Sequence, residues 1–347
     1  MLDGLSILST AQSIAVFVTL ATIVLAFALI RKGPRRSSKP KRVAIAMAAF
    51  VVVLAAVEAA VVFAPRPMAQ LRVSDPDVAI VDFHSHTGTS HDVRKSFTAE
   101  KNRAWHRGAG FHIGYISDHV KFAGAVEARS RNPRLAGEGT SLLTAVEGRY
   151  HRIMSTIVFG LTERDTALLN KRGNVLSNAT ASGRPPVSII ALPNRNLDSI
   201  TVGTLDSLEN FKAIELVDAA PRGLAQLDRE EEKIREIASR LGLILVAASN
   251  NHGFGRTAAA WNLVRIPQWR GMTPEEAGLL IEDRLRASDS SSIDIVRRLR
   301  PTVHGVSVAA TLPVMLFQIV TTLTTAERFV WIAWIWAIAL LRLRRRH

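Results

Sequence analysis

Two long uncharged stretches near the amino terminus constrain this chain before anything else does. Ser13 to Ile30 runs 18 residues without a charge, and Val43 to Ala64 contains only Glu58. Hydrocarbon offers no partner for free backbone N–H and C=O groups, so such stretches are stable there only as helices, at about 20 residues per crossing. The sequence therefore predicts transmembrane helices over about 13–30 and 43–63. Val303 to Leu323 is a third uncharged stretch, softened by Pro313, Gln318 and several threonines, and Phe329 to Leu343 is a fourth apolar stretch, broken only by Arg342 near its end, with Trp331, Trp334 and Trp336. One or two spans are expected in 303–347, and the softer third stretch is the expected non-spanner. Seven of the twelve residues from Arg31 to Arg42 are basic. Short loops of that kind stay in the cytoplasm, so the segment after Ala64 is expected on the other side, as an extracytoplasmic domain of an integral membrane protein of the bacterial inner membrane. The basic tail of Arg342 and Arg344 to Arg346 also favours the cytoplasm, which an even number of later spans would forbid.

Between these ends the pattern changes to apolar strand-like runs, several closing on metal-ligand residue types. Val78 to Val81 leads into Asp82-Phe83-His84-Ser85-His86-Thr87; Ile113 to Ser117 into Asp118-His119; Leu142 to Val146 into Glu147, with His151 four residues on; and Leu243 to Ala248 into Ser249-Asn250-Asn251-His252. Alternation along a strand puts Asp82, His84 and His86 on one face. Imidazole and carboxylate together suit zinc, manganese or iron rather than calcium. Strands are expected near 78–84, 112–117, 142–147, 155–161, 187–192, 212–217 and 243–248, and helices near 98–108, 120–132, 163–172, 204–211 and 222–241. The pattern is α/β, and parallel strands in a barrel would gather those run-ends on one rim. Asn170 to Pro186 reads as a loop, surface or lid. Residues 271–302 read as a helical linker, with Thr273 and Glu276 as a capping box and a polar Asp-Ser segment after it.

Charge and cysteine content narrow the partners. The formal net charge is +14, but residues 64–302 hold 32 basic and 27 acidic residues, so most of the surplus lies in the membrane ends. No basic stripe interleaved with aromatics runs through the middle, and double-stranded nucleic acid is not an expected partner; the lipid bilayer is. The chain has no cysteine, which excludes disulfides, thiol catalysis and Cys-ligated zinc.

In the order and type of these motifs the chain resembles the PHP (polymerase and histidinol phosphatase) family of metal-dependent phosphoesterases, over roughly residues 76–268. The resemblance rests on Asp82-x-His84-x-His86-Thr87, Asp118-His119, Glu147 and the late Asn250-Asn251-His252, with Ser90-His91-Asp92 between the first two. It implies a distorted (β/α)7 barrel spanning 65–270, flanked by transmembrane helices at both ends. It implies one to three divalent ions and hydrolysis of a small phosphorylated substrate. His84, His86, Glu147 and Asn250 would hold one ion, with Glu147 as a bridging ligand. Asp92 or His91 with His119 and His252 would hold another. Asp118 would orient a ligand, Asp82 would do the same or serve as a buried structural aspartate, and Arg256 would meet the substrate phosphate or lie on the surface. Two positions depart from the family pattern. Leu192 stands at an expected His before Pro193, and Asn250 stands at an expected Asp. The histidine of the strand after Glu147 is missing, with His151 as its possible substitute. These departures leave open a second reading, a degenerate domain that binds or senses without catalysis.

Overall fold

A computed structural model of the chain describes residues 2–31, 38–63, 68–150, 154–168, 182–193, 196–201, 211–255, 257–303 and 305–344. Two compact units are formed, one from Ala11–Phe50 with Leu299–His347 and the other from Val51–Arg298 with Leu2–Thr10. The apolar stretches fold as helices α1 (Thr10–Ile30) and α2 (Lys39–Phe63). Among the described residues three helical segments are long and apolar enough to span a membrane: Thr10–Ile30, Lys39–Phe63 and Gly305–Thr322. Their faces carry many of the exposed large apolar side chains, such as Ile14, Phe27, Val52 and Phe317.

The strand-forming runs build one mixed nine-stranded sheet. Its strands are β1 (Val78–Ser85), β2 (Ile113–Ile116), β3 (Ser141–Tyr150), β4 (Met154–Phe159), β5 (Val187–Ile190), β6 (Phe211–Asp218), β7 (Ile244–Ala248), β8 (Ala260–Arg265) and β9 (Ile293–Arg297). The spatial order is β7-β6-β5-β4-β3-β2-β1-β8-β9. All seven strands expected from the sequence are present; β8 and β9 were not anticipated. The all-parallel expectation is corrected at β4, which runs antiparallel to both β3 and β5. Only residues 151–153 join β3 to β4, and a parallel crossover needs a dozen residues or more. The expected linker 271–302 also departs from its reading, because β9 pairs antiparallel with β8 and extends the sheet.

The sheet curls until β7 meets β1, giving a nearly closed mixed α/β barrel. Asn250 N–H donates to the His84 carbonyl at 2.8 Å and His86 N–H to the Asn251 carbonyl at 3.2 Å. Lower down, the buried Asn262 side chain spans the seam. Its Oδ1 accepts from Ala247 N–H at 2.7 Å, and its Nδ2 donates to the carbonyls of Val81 (3.0 Å) and Ala247 (2.7 Å).

Helices α3 (Ala99–Ala109), α4 (Ala123–Arg129), α5 (Pro221–Leu241) and α6 (Pro274–Arg286) accompany the sheet. Pro221 begins α5 and Gly242 ends it at φ 63°, where a side chain would be strained. Thr273 and Glu276 form the expected capping box of α6. The expected helix at 163–172 is a 3-10 turn, Glu163–Leu168, over its described part; the one at 204–211 lies outside the described residues, apart from Phe211 in β6. Most of the 170–186 loop is outside them too. Phe83 stacks on Tyr115, and Phe159 meets both rings edge-on, at 4.8–6.1 Å between centroids, in a core that α6 joins through Ala277, Ile281 and Leu285. Each such aromatic or branched side chain removed from water contributes about 1.5–3 kcal/mol. The chain ends in α7 (Thr311–Thr322) and α8 (Thr325–Arg344). Glu327, Arg328, Arg342 and Arg344 leave only Phe329 to Leu341 of α8 uncharged. By length and composition the candidate span is therefore in the third stretch, Gly305–Thr322, where the softer sequence had suggested a segment that does not cross.

Candidate metal centre

The carboxyl ends of β1, β2, β3 and β7 deliver imidazoles and carboxylates to one rim. His84 and His86 leave β1 with their Nε2 atoms 2.9 Å apart. Glu147, near the end of β3, sets Oε2 at 3.4 Å from His84 Nε2 and 3.3 Å from His86 Nε2. The same oxygen lies 3.3 Å from His119 Nδ1. Asp92 Oδ2 is 3.1 Å from His119 Nε2 and 3.2 Å from His252 Nε2. The ring of His91 stacks 4.9 Å from that of His119. Among the described residues three groups could hold an ion, each with its ligand atoms within 4.8 Å of one another: His84-His86-Glu147, His86-His119-His252 and His91-Asp92-His119.

The donor set fits divalent metal. Bonds of about 2.0–2.2 Å at tetrahedral or octahedral angles place neighbouring donors roughly 2.9–3.6 Å apart, the range seen around Glu147. The electrostatics favour positive charge at the site as well. Burial alone would neutralise Glu147, yet hydrogen bonds from His84 and His86 hold its pKa well below the ordinary value. Burial opposes charge on His84, but Glu215 and Glu147 outweigh it and raise its pKa well above normal. His86, whose largest influence is burial, is held below its usual value. Buried carboxylates gathered this tightly need positive charge among them. Protonated imidazole and a metal ion both supply it.

Four expected imidazole ligands, His84, His86, His119 and His252, thus meet around Glu147 and Asp92, and His91 stands beside them. The two acids expected to orient a ligand or to serve structurally, Asp118 and Asp82, lie outside these three groups. Asp118 is buried beneath the 86–92 loop, where Thr87 N–H (2.7 Å), Thr87 Oγ1 (2.6 Å) and Ser90 Oγ (3.0 Å) occupy its oxygens. It braces the loop, and its Oδ1 is 4.0 Å from His86 Nδ1. Asp82 does not share the face of His84, because the β1–β2 register shifts between Asp82 and Ser85. Its carboxylate accepts from Ser249 N–H at 3.0 Å and lies 2.9 Å from His106 Nε2, which ties β1 to β7 and α3. His151 and Arg256 lie outside the described residues.

At the departures, Leu192 packs in an apolar cluster and offers no donor atom. Asn250, at φ 42°, donates Nδ2 to Asp218 Oδ2 at 2.9 Å. That leaves Oδ1 buried with no hydrogen-bond partner, a state a cation would relieve. The Asn250 carbonyl lies 2.8 Å from His252 Nδ1, which orients that ring.

Sequence reasoning missed Glu215 and Asp218. Glu215 Oε1 lies 2.8 Å from His84 Nδ1 and its Oε2 accepts from Leu192 N–H at 2.7 Å. Burial and the nearby Glu215 charge push Asp218 up to about 8. The signal was two carboxylates inside an apolar central strand, Ala213-Ile214-Glu215-Leu216-Val217-Asp218, where acids are rarely buried without a partner.

No family model matches the chain, and no curated protein matches it. Solved structures similar to it include PsfC from Pseudomonas syringae PB-5123, at 12% identity over 71% of this chain and 100% of that one, with TM-score 0.42. The lesion-specific endonuclease PfuEndoQ from Pyrococcus furiosus is similar at 12% identity over 60% of this chain and 56% of that one, with TM-score 0.40. An endonuclease Q complex with a 27-mer duplex carrying an abasic lesion matches at 14% identity over 60% and 57%, with TM-score 0.42. The chain spans little more than half the length of these two endonuclease chains.

Proposed function

We propose that the chain is a membrane-anchored, metal-dependent phosphoesterase with a PHP-like barrel, acting on a small phosphate ester or phosphodiester. One observation carries the reading: a single carboxylate oxygen, Glu147 Oε2, lies within 3.4 Å of the nitrogens of His84, His86 and His119. An oxygen shared in that way suits a bridging ligand between two ions. His84 and His86 with Glu147 would hold one divalent ion, zinc, manganese or iron. His119, His252 and Asp92 would hold another, with His91 at the edge and Asn250 Oδ1 available to the set. Such ions supply Lewis acidity toward a phosphoryl oxygen and a water of lowered pKa. The protein's part is to fix the donors: Glu215 sets the His84 ring, the Asn250 carbonyl sets His252, and Asp118 braces the loop bearing His91 and Asp92. The domain faces the extracytoplasmic side of a bacterial inner membrane in this reading, because the loop 31–42 is basic.

Full-length protein purified in detergent should contain at least one equivalent of transition metal and hydrolyse a generic phosphoester. His84→Ala should lose most of both. Metal-free parent protein, or His84→Ala with parental turnover, would remove the proposal. Leu192 and Asn250 favour a second reading, a domain that binds metal and ligand without turnover. Activity that is absent in the parent and appears on combining Asn250→Asp with Leu192→His would decide for it.

A further inference from the structure

The geometry points to Arg149 as the residue that grips the substrate's phosphate group, an inference that rests on the phosphoesterase reading above. Arg149 follows Glu147 by two positions on β3, so the two side chains leave the same face of the strand about 7 Å apart. Glu147 lies near the centre of the imidazole cluster, and Arg149 is one step further out along the strand, exposed. Its backbone pairs with Ser155 of β4, whose short side chain leaves the guanidinium room.

What sets Arg149 apart is that its charge is unspent. Among the described residues it makes no ion pair and no side-chain hydrogen bond. Glu147, the nearest acid along the strand, has its Oε2 engaged by three imidazoles and does not neutralise it. Among the described residues, two lysines near the rim are committed to the loop. Lys121 Nζ donates to the Thr89 carbonyl at 3.1 Å, and Lys95 Nζ to the carbonyls of Ser90 (2.9 Å) and Gly88 (3.3 Å). A planar guanidinium offers two parallel N–H donors, matched to two oxygens of one phosphate. A substrate with a phosphate oxyanion, monoester or diester, is what such a group recognises.

The test uses full-length, metal-loaded protein in detergent, with inorganic phosphate titrated calorimetrically and p-nitrophenyl phosphate as the kinetic probe. Arg149→Met should keep its metal content and melting temperature while weakening phosphate binding, and raising KM, on the order of 10- to 100-fold, the range for a lost hydrogen bond to a charged group. Arg149→Lys should recover part of the loss, since it restores the charge without the fork. Unchanged phosphate affinity in Arg149→Met overturns the assignment, as does loss of metal together with phosphate. A metal-loaded parent that binds no phosphate overturns the phosphoesterase reading itself, and this inference with it.

Discussion

Glu215 shows what a residue can do for the site without facing it. Its contact with His84 Nδ1 at 2.8 Å selects the tautomer and angle that present Nε2 toward His86 and Glu147. Removing such an orienting carboxylate costs metal affinity about 10- to 100-fold in comparable sites. Glu215→Gln should therefore weaken metal binding by about that factor, measured by competition with a chromogenic chelator, while phosphate affinity at saturating metal changes little. His84, His86, Glu147, His119 and His252 were legible because each closes an apolar run. Glu215 was not, because it interrupts one. Spacing does not reveal that Thr87 and Ser90 occupy the oxygens of Asp118. Away from the site, burial and the charge of Arg270 lower the His112 pKa to about 4, and its Nδ1 accepts Ile80 N–H at 3.0 Å. The folded state takes up this proton below pH 4, the unfolded chain near 6.5. His112 thus contributes stability that is complete above pH 6.5 and lost as pH falls toward 4. His112→Asn keeps an acceptor that does not titrate. Between pH 7 and 4.5 the parent should lose about 1–3 kcal/mol more than this variant, read from denaturant unfolding at each pH.

At the level of elements, the hairpin of β3 and β4 decides how the rim is built. The expected strands 142–147 and 155–161 left too little chain between them for a parallel crossover, so their antiparallel pairing was readable from spacing. β9 was hidden for another reason. Ile293-Asp294-Ile295-Val296-Arg297 is short and partly exposed, and only its partner β8 makes it a strand. The loop 86–92 depends on α4 lying close beneath it. A Cβ on Gly124, in the first turn of α4, would collide with Asp118 Oδ2 and Thr87 Oγ1. Gly124→Ala must shift the helix or break that pair, at a cost of about 1–3 kcal/mol. The variant should melt lower and bind metal more weakly, because the displaced loop carries His91 and Asp92. Full metal occupancy in a variant that melts lower would show that the Asp118 brace does not position ligands.

At the scale of the whole molecule, charge and apolar length make the proposed orientation testable. In that proposal the three candidate spans among the described residues would carry a chain that starts outside into the cytoplasm for the basic loop, out for the barrel, and back for the tail. That count removes the conflict posed by Arg342 and Arg344 to Arg346, because a single crossing after the barrel returns them to the cytoplasm. It also requires α8 to remain on the cytoplasmic side, with its charged ends in contact with headgroups and water. The native chain has no cysteine, so single introduced thiols report position without background. Ser290→Cys, exposed beside the barrel, should react with a membrane-impermeant maleimide on intact cells. Ser38→Cys and Ala326→Cys should react only after permeabilisation. Labelling of Ala326→Cys from outside would mean that Gly305–Thr322 does not cross. Labelling of Ser38→Cys from outside would invert the orientation and put the metal centre in the cytoplasm, where its substrates would be those of the cell interior.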